Sequence, residues 1–418
     1  MKSPAPAPGK SGPDVSATVA QIIDDVRTRG DAAVREWSAK LDGWEPESFR
    51  LPEAEIERTV AGVDPRVRAD IEFCQAQVRT FAEAQRRSLT DFEIETLPGV
   101  TLGQRNIPVA AAGAYVPGGR YAMVASAHMT IVTAKVAGVD RVTAVTPPYQ
   151  GAAPAETVAA MHLAGADEIF LLGGVQAVAA LALGTETIGR VDLLAGPGNA
   201  YVAEAKRQLF GEVGIDLFAG PTEILVIADD TADPVVVATD LLSQAEHGPE
   251  SPAVLITTSE KLGRAVIAEV ERQLPDLPTR DLAGPAWRDF GAVAVVGSLA
   301  DAVALADDYA YEHVEVLTAE PRYFLERMRN YGALFLGEGT TVAYGDKTIG
   351  TNHVLPTRKA ARYTGGLWVG KYLKTVTYQE CTPEASARIG EVCARQCRVE
   401  KFEGHARAAD ARVRKFGG

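Results

Sequence analysis

The sequence predicts an α/β protein with two doubly wound parallel sheets and helical extensions at both ends. Two observations lead to this prediction. From about Val142 to Gly337, short apolar runs alternate with helical segments in two successive series, a pattern typical of βαβ units. The chain of 418 residues is also long enough for two or three domains, at about 150 residues each.

The region before the alternation predicts a tail and then helices. Residues 1–13 are rich in Pro and Gly, lack the apolar stretch of a signal peptide, and predict a loose tail. From Asp14 to about Leu89, apolar residues such as Ile22 and Val26 recur every three or four positions. This spacing predicts helices that pack on another part of the protein.

The two series predict two parallel sheets. The first contains VTAVT, EIFLL and DLLAG, and the second contains TEILVIA, AVLIT, AVAVV, HVEVL and ALFLG. Ligands of such folds bind at the carboxyl ends of the strands, where we expect the functional site. The stretch after about Thr382 is again helical, and it is basic.

Composition limits the class of partner. A hydrophobic fraction of 46% and a charged fraction of 23% are typical of a folded globular protein. The net charge of -13 argues against nucleic acid and against an anionic membrane surface. No apolar run approaches the roughly 20 residues of a membrane span. An anionic substrate would therefore need a local basic pocket.

The cysteines are few and irregularly spaced, which predicts a reduced, cytoplasmic protein. They are Cys74, Cys381, Cys393 and Cys397. Cys393 and Cys397 lie one helical turn apart, but a zinc site would need two more soft ligands nearby. Plain thiols are the favoured interpretation.

A Gly-rich turn at 196–199 follows the strand DLLA and opens a helix. Its amides and the helix dipole can hold an anion, although such a turn is as often purely structural. The sequence has no GxGxxG motif at this turn. A dinucleotide would therefore bind without the usual fingerprint.

Two pairs of polar residues are candidates for chemistry. Gln244 and His247 share a helix face and can bind one ion together. The alternative is that His247 only interacts favourably with the dipole at the carboxyl end of the helix. Glu312 and His313 begin a strand and can divide two proton transfers, although a solvated pair is commoner. Asp346 lies in a Gly-rich loop after ALFLG, a position suited to a hard oxygen ligand.

The chain resembles the histidinol dehydrogenase family over nearly its full length. The resemblance is carried by YVPGG, GGVQAVAALALGTETI, GPGNAYVAEAKRQ, AGPTE, DLLSQAEHGP, EHVEV, GALFLG and GTNHVLPT. It implies two incomplete Rossmann-like lobes, one inserted in the other, in a homodimer with shared active sites. The implied domains are a flexible tail at 1–13, a first lobe with the N-terminal helices at 14–114 plus 222–375, an inserted lobe at 115–221, and an exchanged helical tail at 376–418.

The resemblance also implies the site residues. One zinc ion per subunit would be held by Gln244, His247, Asp346 and His405, the last supplied by the partner subunit. The implied catalytic pair is Glu312 and His313. The implied NAD contacts are Tyr115, Gln176 and Asn199.

The implied reaction takes a primary alcohol through an aldehyde to a carboxylate, with two molecules of NAD reduced. His313 would take the hydroxyl proton in the first oxidation. Glu312 would activate water in the second. A non-catalytic relative is the alternative of another class, and the sequence disfavours it because every ligand and proton-transfer position is filled. The preference for NAD over NADP is not readable from these residues.

Several residues differ from the biosynthetic members and predict an anionic substrate. At these positions the chain resembles the branch of the family that oxidises 2,3-dihydroxypropane-1-sulfonate to sulfolactate. The residues are Arg120, His128, Thr222 and Lys371. A sulfonate is a permanent anion that cations bind by charge-assisted hydrogen bonds. His353 is a further predicted substrate contact. Glu400 stands where biosynthetic members contact a substrate amine, so oxidation of L-histidinol to L-histidine remains the alternative.

Overall fold

The computed structural model describes residues 1–4, 15–118, 122–218 and 220–418. They form two compact units, each described by itself below. The first contains Met1–Ala84 and Val109–Tyr372, and the second contains Gln85–Pro108 and Leu373–Gly418. Among the described residues, no helix has the length and apolar character needed to cross a membrane.

The N-terminal helices, the alternating strands and helices and the C-terminal helices follow the order predicted from the sequence, but the antiparallel strands at 92–108 and 373–381 were not predicted. The helices are α1 (Val15–Arg29), α2 (Asp31–Asp42), α3 (Glu53–Gly62), α4 (Pro65–Arg87), α5 (Val124–Ala127), α6 (Thr133–Ala137), α7 (Ala155–Ala164), α8 (Gly174–Leu183), α9 (Ala200–Leu209), α10 (Pro234–Ala245), α11 (Glu260–Gln273), α12 (Arg280–Phe290), α13 (Leu299–Tyr309), α14 (Pro321–Arg327), α15 (Val342–Lys347), α16 (Pro383–Val399) and α17 (Glu403–Phe416). The strands are β1 (Phe92–Leu97), β2 (Val100–Pro108), β3 (Ala111–Tyr115), β4 (Arg141–Thr146), β5 (Glu168–Leu171), β6 (Leu193–Ala195), β7 (Gly214–Ile215), β8 (Ile224–Ala228), β9 (Ala253–Thr257), β10 (Ala292–Val295), β11 (His313–Leu317), β12 (Ala333–Leu336) and β13 (Leu373–Cys381). A π-helical turn, His128–Val132, joins α5 to α6.

The first unit contains two five-stranded parallel sheets. One has the order β5-β4-β3-β6-β7, and the other has the order β10-β9-β8-β11-β12. In each sheet the chain starts near the middle, proceeds to one edge, and returns to build the other side. Most residues of these strands are buried, because helices cover both faces of each sheet. The predicted α/β class with parallel sheets is confirmed.

The N-terminal helices pack differently from the prediction. The apolar stripe of α1, which includes Val19, Ile22 and Val26, is buried in the same core as α8 and α9. These helices therefore cover the sheet of β3–β7, whereas we assigned them to the other lobe. That sheet also begins at Ala111 rather than at residue 115.

The prediction of a loose tail is wrong for residues 1–4. The backbone of Lys2 pairs with the backbone of Val293 in β10. The N-terminal amine of Met1 donates a hydrogen bond to the carbonyl of Val293. The ammonium of Lys2 also donates to the carbonyl of Gly291 and lies over the Trp287 ring. The rest of the predicted tail, up to residue 13, lies outside the described residues.

The second unit is a three-stranded antiparallel sheet with two helices. The strand order is β1-β2-β13, and α16 packs against α17 in the same unit. Thr382 caps α16 by accepting a hydrogen bond from the amide of Ala385, which agrees with the predicted helix start. Phe92, Ile94 and Val376 are exposed on the strands. The unit therefore presents apolar surface to its surroundings.

Candidate active site

The candidate catalytic residues lie at the amino edge of the second parallel sheet. Glu312 and His313 precede and begin β11, and Thr222 and Glu223 immediately precede β8, its neighbour. We expected ligands at the carboxyl ends of the strands, whereas these candidate residues lie at the opposite edge of this sheet. The reason is that α10 runs antiparallel to the strands, so that its last turn, with Gln244, returns to the amino edge.

Three of the predicted zinc ligands line one cavity of about 310 Å³. Gln244 and His247 come from the end of α10, and Asp346 comes from α15. Asp346 therefore sits on a short helix, where we predicted a loop. His405, the fourth predicted ligand, is exposed on α17 in the second unit.

The chemistry of this cavity wall fits a divalent metal ion. The Oε1 atom of Gln244 is buried and has no hydrogen-bond partner among the described residues, and a buried orphan acceptor is costly unless something pairs with it. The Nδ1 atom of His247 donates to the carbonyl of Gln244 at 3.2 Å, because a carbonyl can only accept. This bond leaves Nε2 of His247 as a free ligand atom.

The protonation states of the three side chains also suit a metal ion. Desolvation lowers the pKa of His247, which favours the neutral imidazole that a metal requires. Although burial opposes ionisation, contact with His313 lowers the pKa of Asp346 to about 2. Within the described ranges, no cluster of three or more His, Cys, Asp or Glu side chains has metal-binding geometry. One predicted ligand is Gln and another lies in the second unit, so such a cluster is not expected here.

The catalytic pair is buried and electrostatically coupled. The Nδ1 atom of His313 lies 3.6 Å from Oε2 of Glu312, and its Nε2 atom lies 3.3 Å from Oδ1 of Asp346. Nδ1 also contacts the carbonyl of Glu223 at 3.2 Å and therefore carries a proton. The second proton of His313 is exchanged at Nε2, the atom nearest Asp346.

Burial and neighbouring charge shift both pKa values of this pair. Burial raises the pKa of Glu312 to about 7, and His313 acts in the opposite direction. Burial lowers the pKa of His313, but the carboxylates of Glu312 and Asp346 outweigh it and raise that pKa to about 9. Glu312 therefore titrates near neutral pH, as a general base should.

The predicted NAD contacts lie around the first sheet, where its strand order reverses between β3 and β6. Tyr115 ends β3, and its hydroxyl accepts a hydrogen bond from the amide of Gly174. Gly196 follows β6 with φ +123°, and a Cβ there would lie 2.0 Å from the carbonyl oxygen of Tyr115. Only glycine permits this close approach at the reversal point.

The other two predicted NAD contacts have structural partners. The Oδ1 atom of Asn199 caps α9 by accepting from the amides of Tyr201 and Val202. Gln176 is buried and donates to Asp42 at 2.8 Å, while its Oε1 atom has no partner within the described chain. Asp42 was not predicted, because nothing in the helical periodicity of α2 marks it as a polar partner of α8.

The residues predicted to bind a substrate anion are mostly not in the cavity wall. His128 is buried and bonded to Gln75, and burial lowers its pKa to about 4. His128 is therefore neutral, and the prediction that it supplies a cation is wrong. Lys371 lies on a short helical turn that packs against α6, and it is not among the residues that line the cavity.

Of the other predicted substrate residues, two lie in hydrogen-bond networks beside the site. Thr222 donates to Glu312 at 2.5 Å. His353 contacts the backbone carbonyl of Asp346 through Nδ1 and the hydroxyl of Ser126 through Nε2. Glu400 is exposed in the second unit, and Arg120 lies outside the described residues.

One cation in the cavity wall was not predicted. Lys347 ends α15, is exposed, and lines the cavity with Gln244 and His247. Its ammonium makes no ion pair among the residues that the structure describes. Its position directly after Asp346 was a signal available in the sequence.

A buried carboxyl pair lies behind the site and holds α15 in place. Glu315 of β11 and Asp240 of α10 are buried neighbours, and Oε2 of Glu315 and Oδ2 of Asp240 have no hydrogen-bond partner among the described residues. Glu315 accepts from the amide of Val342 at 2.7 Å, and Asp240 accepts from the hydroxyl of Thr341 at 3.1 Å. Burial raises the pKa of Glu315 to about 8 and also raises that of Asp240. The pair therefore shares a proton at neutral pH.

Replacing Glu315 with Gln should remove a pH-dependent loss of folding stability. Between the usual pKa of 4.5 and the folded value of about 8, the unfolded chain releases a proton that the folded chain keeps. Glu315 alone should therefore lower wild-type stability by up to about 1.4 kcal/mol per pH unit in this window, and the slope of the Gln variant should be shallower by that amount. Urea unfolding from pH 5 to 8, with chelator present, measures it.

The control is Glu326→Gln, at an exposed glutamate whose side chain is 69% accessible. Its stability should follow the wild-type pH dependence. A Glu315→Gln variant whose stability differs from wild type by the same amount at every pH would contradict the shared proton.

The model for the family described as histidinol dehydrogenase matches residues 7–413. A protein named histidinol dehydrogenase homolog from Shouchella clausii is 63% identical over 96% of this chain and 95% of its own length. The sulfopropanediol 3-dehydrogenase of Ruegeria pomeroyi is 49% identical over 96% of this chain and 93% of its own. The crystal structure of histidinol dehydrogenase from Elizabethkingia anophelis superposes with a TM-score of 0.93 at 31% identity, covering 98% of this chain and 95% of that one.

Proposed function

Since the chain belongs to the histidinol dehydrogenase family and is an oxidoreductase of that family, we propose that it is a zinc-dependent, NAD-linked dehydrogenase. It oxidises a primary alcohol to a carboxylate, RCH₂OH + 2 NAD⁺ + H₂O → RCOO⁻ + 2 NADH + 3 H⁺. The observation that carries the proposal is the cavity lined by Gln244, His247 and Asp346, where Oε1 of Gln244 has no hydrogen-bond partner among the described residues and Asp346 contacts His313 of the catalytic pair.

In this proposal, zinc is held by Gln244, His247 and Asp346, with His405 of a second copy completing the set. Bound zinc supplies Lewis-acid polarisation of the substrate oxygen. Two imidazoles, one amide oxygen and one carboxylate are ligands that zinc accepts. The donation from Nδ1 of His247 to the Gln244 carbonyl supports this role because it fixes the ring orientation.

The two proton-transfer roles follow from the separate surroundings of Glu312 and His313. His313 accepts the hydroxyl proton of the alcohol at Nε2, the nitrogen that faces Asp346. It can do so only when neutral, and a cation bound at Asp346 would offset the carboxylates that raise the pKa of His313. Glu312, with a pKa of about 7, removes a proton from the water that adds to the aldehyde.

NAD supplies the hydride acceptor for both oxidations, and the first sheet offers its binding region. Each five-stranded sheet is interpreted as an incomplete Rossmann-like lobe. The reversal point between Tyr115 and the Gly196 turn is the expected site of the pyrophosphate. A second cavity of about 460 Å³ at the ends of β3 and β4 shares Ala122 with the first. It gives room for part of the dinucleotide near the reacting centre.

The proposed substrate is 2,3-dihydroxypropane-1-sulfonate, and the product is sulfolactate. The similarity to the Ruegeria pomeroyi sulfopropanediol 3-dehydrogenase supports this choice. Lys347 supports it on physical grounds, since an unpaired ammonium on the cavity wall attracts an anion and repels the cationic amine of histidinol. Arg120 remains a second candidate for the sulfonate. Oxidation of L-histidinol is the alternative within the same family.

Replacing Lys347 with Ala should lower kcat/KM for the sulfonate by about 10-fold to 100-fold, corresponding to about 1.4–2.8 kcal/mol. The loss should be much smaller for an uncharged diol of similar size. Initial rates of NADH formation measure both. Lys261→Ala, on the exposed surface of α11, is the matched control. Efficient wild-type oxidation of histidinol without activity on the sulfonate would contradict the substrate assignment.

A homodimer with shared sites is part of the proposal. The exposed apolar residues of the second unit, including Phe92 and Ile94, support association with a second copy of the same chain.

All four cysteines are free, which supports a reducing compartment and therefore our proposal of a cytoplasmic enzyme. A non-catalytic relative is disfavoured, because such a protein has no need for the buried Glu312–His313 pair.

A further inference from the structure

The side-chain amide of Gln244 is held in one orientation by its neighbours. Its Nε2 atom lies 2.6 Å from Oγ1 of Thr222 and donates to it. Its Oε1 atom is buried and unpartnered within the described residues. The two ends of an amide have opposite hydrogen-bonding character, so the partner of one end determines what the other end presents.

The direction of this bond is set by Glu312. The hydroxyl of Thr222 has one proton, and that proton is donated to Oε2 of Glu312 at 2.5 Å. The same Oε2 atom accepts from the amide of Glu223 at 3.1 Å, as a carboxylate oxygen can. The lone pairs of Thr222 then need a donor, and the Nε2 atom of Gln244 is the donor in reach. An amide turned the other way would place oxygen against oxygen.

We propose that Thr222 is a positioning residue that turns the Gln244 amide so that its oxygen, and not its nitrogen, faces the metal site. This inference rests on the proposed zinc site. We predicted Thr222 as a substrate contact, whereas this role is exerted through Gln244 and in the absence of substrate. With the opposite amide orientation, the cavity would offer a cation two N–H hydrogens in place of an oxygen lone pair.

The experiment compares zinc affinity in full-length Thr222→Val and Thr222→Ser proteins, without substrate or NAD. Val keeps the shape of Thr and removes the hydroxyl, whereas Ser keeps the hydroxyl. Outer-shell partners of metal ligands typically contribute about 10-fold to 100-fold to affinity, so Thr222→Val should bind zinc about that much more weakly. Thr222→Ser should bind like wild type. Competition with a chromophoric chelator measures the affinity.

A double-mutant cycle isolates the orientation effect from general damage. Gln244→Glu places an oxygen at both ends of the side chain, so orientation no longer matters. In that background, Thr222→Val should change zinc affinity by less than about three-fold. A full-sized loss in both backgrounds would overturn the orientation role. Thermal unfolding shows whether each variant folds, and Thr222→Ala replaces Thr222→Val if the latter does not.

The outcomes separate the inference from the proposed function. Zinc binding by Thr222→Val as tight as that of wild type overturns the orientation role and leaves the zinc site intact. A wild-type protein that binds no zinc overturns the proposed function itself.

Discussion

Replacing Glu312 with Gln should slow aldehyde oxidation by about 10²–10⁴-fold, the usual contribution of a general base, and slow alcohol oxidation far less. The amide oxygen of Gln can still accept from Thr222 and from the amide of Glu223, as Oε2 of Glu312 does now. The local arrangement is therefore retained, and only proton removal from water is lost.

The two half-reactions can be measured separately, by supplying either the alcohol or the aldehyde with NAD and following NADH. Zinc content should be checked in the same samples, because Glu312 lies two hydrogen bonds from Gln244. Equal loss in both half-reactions would contradict the division of roles between Glu312 and His313.

Replacing His247 with Ala should lower zinc affinity by at least about 100-fold, since even outer-shell changes cost 10-fold to 100-fold. The variant also loses the free Nε2 atom that the Gln244 carbonyl orients. Both oxidations should fall with the metal, because both use the polarised substrate oxygen. Zinc per chain after dialysis and steady-state NADH formation are the two measurements.

The matched control is His162→Ala, the same substitution on α7, where His162 is half-buried and does not line either cavity. It should retain one zinc per chain. Stoichiometric zinc and normal turnover in His247→Ala protein would show that the ligand assignment is wrong.

The sequence was sufficient to predict the helices and the parallel strands, but not the antiparallel strands at 92–108 and 373–381 or the direction in which elements pack. Apolar periodicity in α1 showed that Ile22 and Val26 face a core; it contained no information on which sheet provides that core. Likewise, the Gln244–His247 spacing predicted one shared face. The spacing does not specify the direction in which α10 runs along the sheet. That direction places Gln244 and His247 at the amino edge.

Electrostatic environment was the least predictable property. His128 was taken for a cation because it is a histidine in a changed segment, and its burial against Gln75 makes it neutral. Lys347 was overlooked although it follows Asp346 directly. Glu315 was visible as a carboxylate inside the apolar run HVEVL, but its proton-sharing partner Asp240 is 75 residues earlier, and only the fold brings them together.

Counting NADH per alcohol consumed shows whether two successive oxidations occur in one site. With limiting 2,3-dihydroxypropane-1-sulfonate, excess NAD and zinc-loaded wild-type protein, we expect two NADH and one sulfolactate per substrate molecule. The Glu312→Gln variant should form the first NADH quickly and the second much more slowly. An end point of one NADH per alcohol in the wild type, with aldehyde as the final product, would rule out the second oxidation.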